Sequence, residues 1–465
     1  MYTERFGCAP AAVKLLAGAG SNRRYFRIVS PEGHAAAPAT LIATVGADLD
    51  ENRTFISLAR HFAEKRLPVP EILAVSADGG GYLQQDLGDM SLFDAISQCA
   101  LNGSFTSKAV RLLDQAMQML AIVQNRGAEG IEWEVCHPEA MDSRMIRWDL
   151  NYFKYCFLKQ VLPDFSESRL EDEFDCLFEK LSERTHEATT FMVRDFQSRN
   201  VMISEGRPFL IDFQGGRRGP MEYDVASFLW QAKAGIPAAL RNDLIDRYVG
   251  YAVAVNSGFD EMAFRNALPY FVLFRILQTL GAYGFRGLSE GKPHFLGSIP
   301  AAMANLDSHL TESGLSREFP YLAELVMRLH DAPVIRDASL RLGAGRFDGL
   351  TVTVSSFSYK RGVPTDFSGN GGGFVFDCRA VHNPGRYDQY KQLTGRDKAV
   401  KDFLEEDGEI TLFLANAWGM VDASVGRYLR RGFNSLSVNF GCTGGRHRSV
   451  YSAEATARHI AAQFP

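Results

Sequence analysis

The apolar positions of this chain fall into successive regimes. From about residue 14 to 88, short apolar runs separated by turn residues, "VKLLAGAGSNRRYFRIV", "TLIATV" and "ILAVSADGGGYLQQDLG", predict strands and turns. From Met90 to about Met327 the apolar spacing lengthens to three and four, as in "AVRLLDQAMQMLAIV" and "DLIDRYVGYAVAV", which predicts helices. Between Met327 and Leu350 the pattern fades, and glycine and proline in "RLHDAPVIRDASLRLGAGRFDG" mark a boundary. Strand-like runs then return in "LTVTVSSFSY", "GFVFDCRAV" and "SLSVNF", alternating with the helical stretches "DKAVKDFLEE" and "VGRYLRRGF". The expected fold class is an α+β bilobal domain followed by a separate α/β domain. The bilobal part covers 1–330, with a small β lobe over about 1–88 and a large helical lobe over about 89–330; a linker spans 331–349 and the α/β domain 350–465. Glycine in "SGNGGG", Ser368 to Gly373, predicts a mobile loop. Internal repeats and coiled-coil heptads are absent from the sequence.

The most apolar long stretch, "LPYFVLFRILQTLGAYGF" (Leu268 to Phe285), is interrupted by Arg275 and Gln278, so a buried core helix is expected and no membrane span. Apolar residues at 46%, charged residues at 23% and a net charge of -5 describe a soluble, mildly acidic protein and disfavour a dedicated nucleic-acid binder. The seven cysteines are scattered, with neither metal-knuckle nor disulfide-framework spacing, which suits a reducing compartment. "MYTERFGCAPAAVKLL" lacks the features of a secretory signal, so a cytoplasmic location is expected.

The sharpest chemistry lies in "FMVRDFQSRNVMISEGRPFLIDFQGG". Asn200 follows Asp195 by five positions, and Asp212 ends the apolar run "PFLIDF". Phosphoryl transfer from ATP needs a carboxylate to orient and deprotonate the attacking hydroxyl, and oxygen ligands to hold Mg2+ against the phosphates. Asp195 suits the first role, Asn200 and Asp212 the second. The D-x4-N loop, strand, turn, strand and D-F order matches a kinase catalytic loop and its metal aspartate.

A second candidate is "GCTGGRHRS", Gly441 to Ser449, between a predicted strand carrying Leu436, Val438 and Phe440 and a predicted helix carrying Val450, Ala453, Ala457 and Ile460. A glycine-rich turn feeding a helix N-terminus aims N–H groups at one spot and suits an anion. Thr443, Gly444, Gly445, Arg446, His447, Arg448 and Ser449 are the phosphate-binding candidates. Cys442 with Arg448 also spells C-x5-R-[ST], the pattern of a thiolate phosphatase, although Gly441 precedes the cysteine and no acid aspartate is identifiable. A phosphate-holding loop that leaves its ligand intact is the preferred reading.

Residues 1 to about 330 resemble the aminoglycoside/choline phosphotransferase family of protein-kinase-like enzymes. The resemblance rests on the catalytic stretch above, on "AGAGSNRRYFRI" (Ala17 to Ile28), on "YLQQDLGD" (Tyr82 to Asp89) and on "GPMEYDVASFLW" (Gly219 to Trp230). It implies a phosphate-covering turn with Gly20, Ser21, Asn22 and Arg24, and an adenine-gripping hinge with Gln85, Asp86 and Leu87. Asp224 reads as a structural helix cap. Two features depart from the family: Val193-Arg194-Asp195 stands for H-R-D, and the third strand "ATLIATVGAD" has no lysine, leaving Arg23, Arg24 or Arg27 to replace it. "SNRRYFRI", the lysine-free strand and "RDFQSRNVM…LIDFQ" are similar to kinases that phosphorylate the anomeric hydroxyl of N-acetylmuramic acid and N-acetylglucosamine. That similarity implies an amino-sugar substrate, with Asp149 in "RMIRWDLNYFKYCF" and Arg199 on the substrate side. An amphipathic core helix with Asp149 near its start is the competing reading.

Residues 350 to 465 resemble the C-terminal domain of the RapZ family, through "SFSYKRGVPTDF", "FVFDCRAVHNPGR", "LTGRDKAV" and "GCTGGRHRSV" in matching order. The family's members sense glucosamine 6-phosphate and act as RNA-decay adaptors, so the resemblance implies an amino-sugar phosphate at the loop, with Arg379, His382 and Asn383 completing its pocket. The P-loop that precedes this domain in RapZ proteins is missing, and the kinase-like region takes its place. Family members continue for about another strand, which bears on the packing of the last helix. RNA is a less favoured partner, confined to a local basic surface such as Lys360, Arg361, Arg430 and Arg431. A non-catalytic nucleotide and phosphosugar sensor or adaptor is the reading of a different class, and the oligomeric state is left open.

Overall fold

The computed structural model describes residues 1–16, 23–98, 100–101, 104–332, 335, 349–360, 362–364 and 373–464. The chain divides into two compact units: Met1–Ala282 with Pro300–Ala332, and Tyr283–Ile299 with Pro333–Pro465. The linker residues 336–348, the stretch Ser368 to Gly372 and the turn residues Gly20, Ser21 and Asn22 lie outside the described residues.

In the first unit, β1 (Ala12–Leu15), β2 (Arg24–Val29), β3 (Thr40–Val45), β4 (Ile72–Val75) and β5 (Gly81–Gln85) form an antiparallel sheet in the order β1-β2-β3-β5-β4. Strand alternation turns Tyr25 and Arg27 to one face and Arg24, Phe26 and Ile28 to the other; Tyr25 pairs with Thr44 across β2 and β3. The reading of this region as strands and turns alone is corrected by α1 (Leu49–Glu64), capped by Asp48, whose carboxylate accepts from the Glu51 N–H at 2.9 Å. The polar first turn, Asp50 to Arg53, masked the helical spacing of Phe55, Leu58, Ala59 and Phe62, all buried. Phe55 stacks between Tyr82 of β5 (5.1 Å) and Phe213 (4.7 Å), and Phe62 meets Phe213 and Phe191 at 5.4 and 5.0 Å. This ladder ties the sheet to the catalytic stretch, each buried ring adding about 1.5–3 kcal/mol.

The helical lobe contains α2 (Ser107–Arg126), α3 (Ser143–Phe153) and α4 (Glu167–Glu187), whose N-termini are capped by Thr106, Asp142 and Ser166. The hairpin β6 (Val201–Ser204) and β7 (Arg207–Leu210) follows, then α5 (Met221–Leu229), α6 (Ala238–Val255) and α7 (Glu261–Tyr283). Much of α7 is buried, including Phe264, Phe271, Val272, Leu273, Phe274 and Leu277, as expected of the apolar stretch. Among the described residues, no helix is long and apolar enough to cross a membrane.

His309 packs edge-on to Trp230 (5.7 Å) and donates from Nε2 to the Pro269 carbonyl at 2.8 Å. Burial pushes its pKa down to about 4. A folded-state pKa below the unfolded 6.5 means the unfolded chain takes up the proton first, so this residue's contribution is lost as pH falls from about 6.5 to 4. The loss reaches about 3 kcal/mol at 1.36 kcal/mol per unit. Urea denaturation of native protein and His309→Gln across that window is expected to show a stability gap that closes on acidification. A gap independent of pH excludes the assignment.

In the second unit, β8 (Thr351–Ser358), β9 (Gly373–Asp377) and β10 (Ser435–Cys442) form a parallel sheet in the order β8-β10-β9. Helices α8 (Lys398–Glu406), α9 (Glu409–Arg431) and α10 (Arg448–Gln463) accompany it. Leu404, Leu414, Val421 and Val425 from the helices pack with Leu436, Val438 and Phe440 of the central strand. "SLSVNF" was legible as a strand because its apolar residues Leu436, Val438 and Phe440 alternate with polar ones and face this core.

Candidate functional site

The two metal-ligand candidates lie twelve residues apart in sequence, and the β6–β7 hairpin brings them together. Val201 pairs with Leu210, and the Ile211 N–H donates to the Asn200 carbonyl at 3.0 Å, which sets Asn200 and Asp212 at the open end. The turn is Glu205-Gly206, both at positive φ (50° and 76°), the type I′ geometry that favours glycine. Asn200 donates through Nδ2 to the Asp195 carbonyl at 3.0 Å and to Asp212 Oδ2 at 3.5 Å. Asp195 itself is exposed. Besides Glu205 in the turn, two residues here adopt the left-handed conformation without being glycine, Arg194 (φ 74°) and Asp212 (φ 61°). Such backbone costs about 1–3 kcal/mol each and persists only where neighbours impose it.

Asp224 imposes it at Arg194. The expectation that Asp224 caps a helix is corrected: Pro220 occupies the N-cap of α5, and Asp224 is fully buried one turn inside. Its carboxylate accepts from the N–H groups of Val193 (2.7 Å) and Arg194 (2.8 Å) and from Gln124 Nε2 (3.0 Å). Burial pushes its pKa up to about 7 against those donors. Asp212 is held by Gln214, whose Nε2 donates to Asp212 Oδ1 at 2.8 Å and to Glu51 Oε1 of α1 at 3.1 Å.

Asp149 of α3 is half-buried and accepts from Gln278 Nε2 at 2.5 Å. Gln278 Oε1 accepts from Tyr223, whose hydroxyl accepts from Arg275 Nη1 at 2.8 Å. Burial raises the Asp149 pKa, more than Gln278 and the charges of Arg194, Arg275 and Arg217 lower it. Exposed Arg199 lies over the Phe93 ring at 4.6 Å.

In the second unit, Cys442 ends β10 and Arg448 begins α10, as the strand, loop and helix reading anticipated. Gly445 has φ 65°, and a Cβ there would lie 2.9 Å from the Ser358 nitrogen, so the position requires glycine. The Cys442 thiol is buried, 3.2 Å from Ser449 Oγ. Burial raises its pKa, but Ser449 Oγ and the N–H groups of Ser449, Arg446 and Gly445 outweigh that and leave it below the ordinary thiol value. The expected ring of cationic side chains around an anion does not form in this structure. Arg448 Nη1 donates to the carbonyls of Arg379 and Val381 (2.9 and 2.8 Å), Arg446 Nη2 to Gln392 O (2.8 Å) and His447 Nε2 to Tyr390 O (2.9 Å). Arg379 forms a two-pronged pair with Asp377, His382 contacts Asp407 and Tyr387, and Asn383 caps Gly385. What converges in the loop is backbone, from Gly445, Arg446 and Ser449.

The model of the phosphotransferase enzyme family matches residues 12–263, more than half of the chain. The chain belongs to the phosphotransferase enzyme family. The model of the RapZ C-terminal domain matches residues 350–464. A nucleotide-binding protein of Xylella fastidiosa (strain M23) is 42% identical over 112 residues, 24% of this chain and 37% of the relative. One of Xanthomonas euvesicatoria pv. vesicatoria (strain 85-10) is 39% identical over 119 residues, 26% and 40% respectively. The chain thus spans well under half the length of these curated relatives. Similar solved structures include a choline kinase from Cryptosporidium parvum Iowa II (TM-score 0.45, 10% identity, 68% of this chain and 93% of that one). Another is the ADP-bound aminoglycoside phosphotransferase APH(2'')-Ib (TM-score 0.43, 11% identity, 66% and 95%).

Within this phosphotransferase-family unit, Gln85 ends β5, and Leu87, soon after it, is buried. The side chain of Asp86, in the segment expected to grip the adenine, is held by Arg27: Nε donates to Oδ2 at 2.6 Å and Nη2 to Oδ1 at 3.0 Å. Arg27 also pairs with Asp89 at 2.8 Å. Arg24 is exposed, over the Phe26 ring at 5.9 Å on the opposite face from Tyr25. Sequence reading missed Glu51, Gln214 and Gln124. The Asp48 cap followed by Asp50 and Glu51 was the available signal for the first; nothing in the sequence marked the other two.

Proposed function

We propose that the first unit transfers the γ-phosphoryl group of ATP to a hydroxyl of a small amino sugar, N-acetylmuramate or N-acetylglucosamine, at the anomeric position. The second unit binds an amino-sugar phosphate, and the two domains, about 1–330 and 350–465, serve cell-wall amino-sugar recycling in the cytoplasm. The observation that carries the reading is the meeting of Asp195, Asn200 and Asp212 at the open end of one hairpin. Asp195, exposed beside them, accepts the proton of the attacking hydroxyl as the new O–P bond forms and ADP departs. Asn200 and Asp212 suit Mg2+, which keeps water and phosphate oxygens around one or two protein ligands rather than demanding a closed cage. The metal would supply charge neutralisation of the phosphates. Asp149 and Arg199 are assigned to the acceptor side.

Purified protein with ATP and Mg2+ is to be assayed against amino sugars, choline and aminoglycosides. A phosphorylated amino sugar is expected, and turnover of choline alone would overturn the substrate assignment. For the second unit, the observation is the convergence of N–H groups in a loop that only glycine at 445 permits. Gly445→Ala is expected to weaken glucosamine 6-phosphate binding by at least about tenfold in calorimetry, consistent with losing aligned backbone donors worth about 1.5 kcal/mol or more. Phosphatase chemistry at Cys442 is disfavoured because Arg448, which would have to hold the phosphate, is buried with its Nη1 committed to two carbonyls. Unchanged sugar phosphate after incubation with native protein is the expected result; release of phosphate that Cys442→Ser abolishes would reverse it.

A further inference from the structure

Phosphates carrying three to four negative charges require a fixed cation, and no residue of β3 is one; Thr44 stands beside Tyr25 where a cationic side chain is missing. We infer that Arg23, at the entry to β2, is that cation, and that Glu51 of α1 orients it. The inference rests on the reading of this lobe as ATP-binding and adds to it the residue that grips the phosphates.

Three observations separate Arg23 from its neighbours. Its side chain is almost fully buried on the face shared with Tyr25 and Thr44, whereas Arg24 lies on the opposite face and Arg27 is held by Asp86 and Asp89. Its guanidinium reaches Glu51, with Nη2 3.3 Å from Oε1. From there the contacts run without a break through Gln214 to Asp212 and on to Asn200. The chain therefore joins the guanidinium to the carboxylate proposed to hold the metal. Gly46, the residue after β3, also leaves room for it: a Cβ there would come within 3.3 Å of Arg23 Cγ and 2.7 Å of Asn52 Oδ1. Arg23 thus packs against the end of β3. Arg23 hydrogen-bonds the Tyr25 side chain, and the charges of Arg23 and Asp212 both act on the Tyr25 and Tyr82 hydroxyls, so both groups lie near these two rings. An arginine suits this place because its guanidinium carries five N–H donors in a planar fork, enough to engage Glu51 and Tyr25 and also to meet phosphate oxygens.

The test compares affinities for ATP with Mg2+ and for adenosine, which shares the base and lacks the phosphates. Arg23→Met is expected to weaken ATP binding by at least tenfold and leave adenosine binding unchanged. Arg23→Lys should retain most of the preference for ATP, and Thr44→Lys added to Arg23→Met should restore part of it. Equal ATP affinity in native protein and a folded Arg23→Met variant, judged by circular dichroism and melting temperature, overturns the inference. If Arg23→Met does not fold, Arg23→Gln and Arg23→Lys carry the same comparison, and equal ATP-to-adenosine ratios for both would be equally fatal. These measurements need no acceptor, so failure to find a phosphorylated sugar leaves them decisive; binding of neither nucleotide nor nucleoside by native protein counts against the ATP reading itself.

Discussion

Replacement of Asp195 by Asn is expected to lower phosphoryl-transfer kcat by about 10²–10⁴-fold, the range typical of a lost general base. The substitution is nearly isosteric and the side chain is exposed, so melting temperature and ATP affinity should hardly move. The loss should therefore appear in kcat and not in KM for ATP, the signature of an interaction made only as the hydroxyl attacks. Rapid-quench measurement of one turnover checks this directly. Equal single-turnover rates in the two proteins would remove Asp195 from the reaction.

The second large effect is expected at Asp224, which touches no substrate. Asp224→Ala strips the acceptor from the Val193 and Arg194 N–H groups and from Gln124 Nε2 inside a fully buried site. Unsatisfied buried donors cost about 1–3 kcal/mol each, so a loss of about 3 kcal/mol or more in urea denaturation is predicted. Because Arg194 holds a left-handed backbone that those bonds impose, the segment carrying Asp195 should relax, and activity should fall further than the folded fraction does. Asp224→Asn keeps the shape but puts an NH2 against one of the donors, so it should be intermediate. Full activity in folded Asp224→Ala would exclude this positioning role. The Asp224 pKa of about 7 also acts with opposite sign to His309: raised above 3.8, it makes this group's contribution fall as pH rises from about 3.8 to 7. Comparing each variant with the native protein separates the two slopes.

What the sequence revealed and what it concealed divide along physical lines. Asp195, Asn200 and Asp212 were legible because short-range geometry, a loop and a two-residue hairpin turn, converts their spacing into proximity. The strand, glycine loop and helix around Cys442 were legible for the same reason. Contacts between distant segments were not. Glu51 meets Gln214 across 163 positions, and Gln124 meets Asp224 across 100, with no local pattern that could announce either. Helix α1 was missed because its first turn is polar and its apolar face emerges only from Phe55 onward. Charge was the most misleading property. Arg446, His447 and Arg448 look like an anion trap in one dimension, yet each donates to a carbonyl that only the fold brings near. Asp86 looks like a hinge contact and is an anchor for Arg27.

The β6–β7 hairpin also sets a rule for how this chain can vary. Its register makes the distance from Asn200 to Asp212 a property of residue parity: one residue gained or lost in either strand would swing Asp212 to the far side of the ribbon. Substitutions along the hairpin are therefore tolerable wherever packing allows, whereas single-residue insertions and deletions between positions 200 and 212 are not. Random libraries of this segment should recover point changes in the two strands more readily than at Gly206, and length changes in the strands only in pairs.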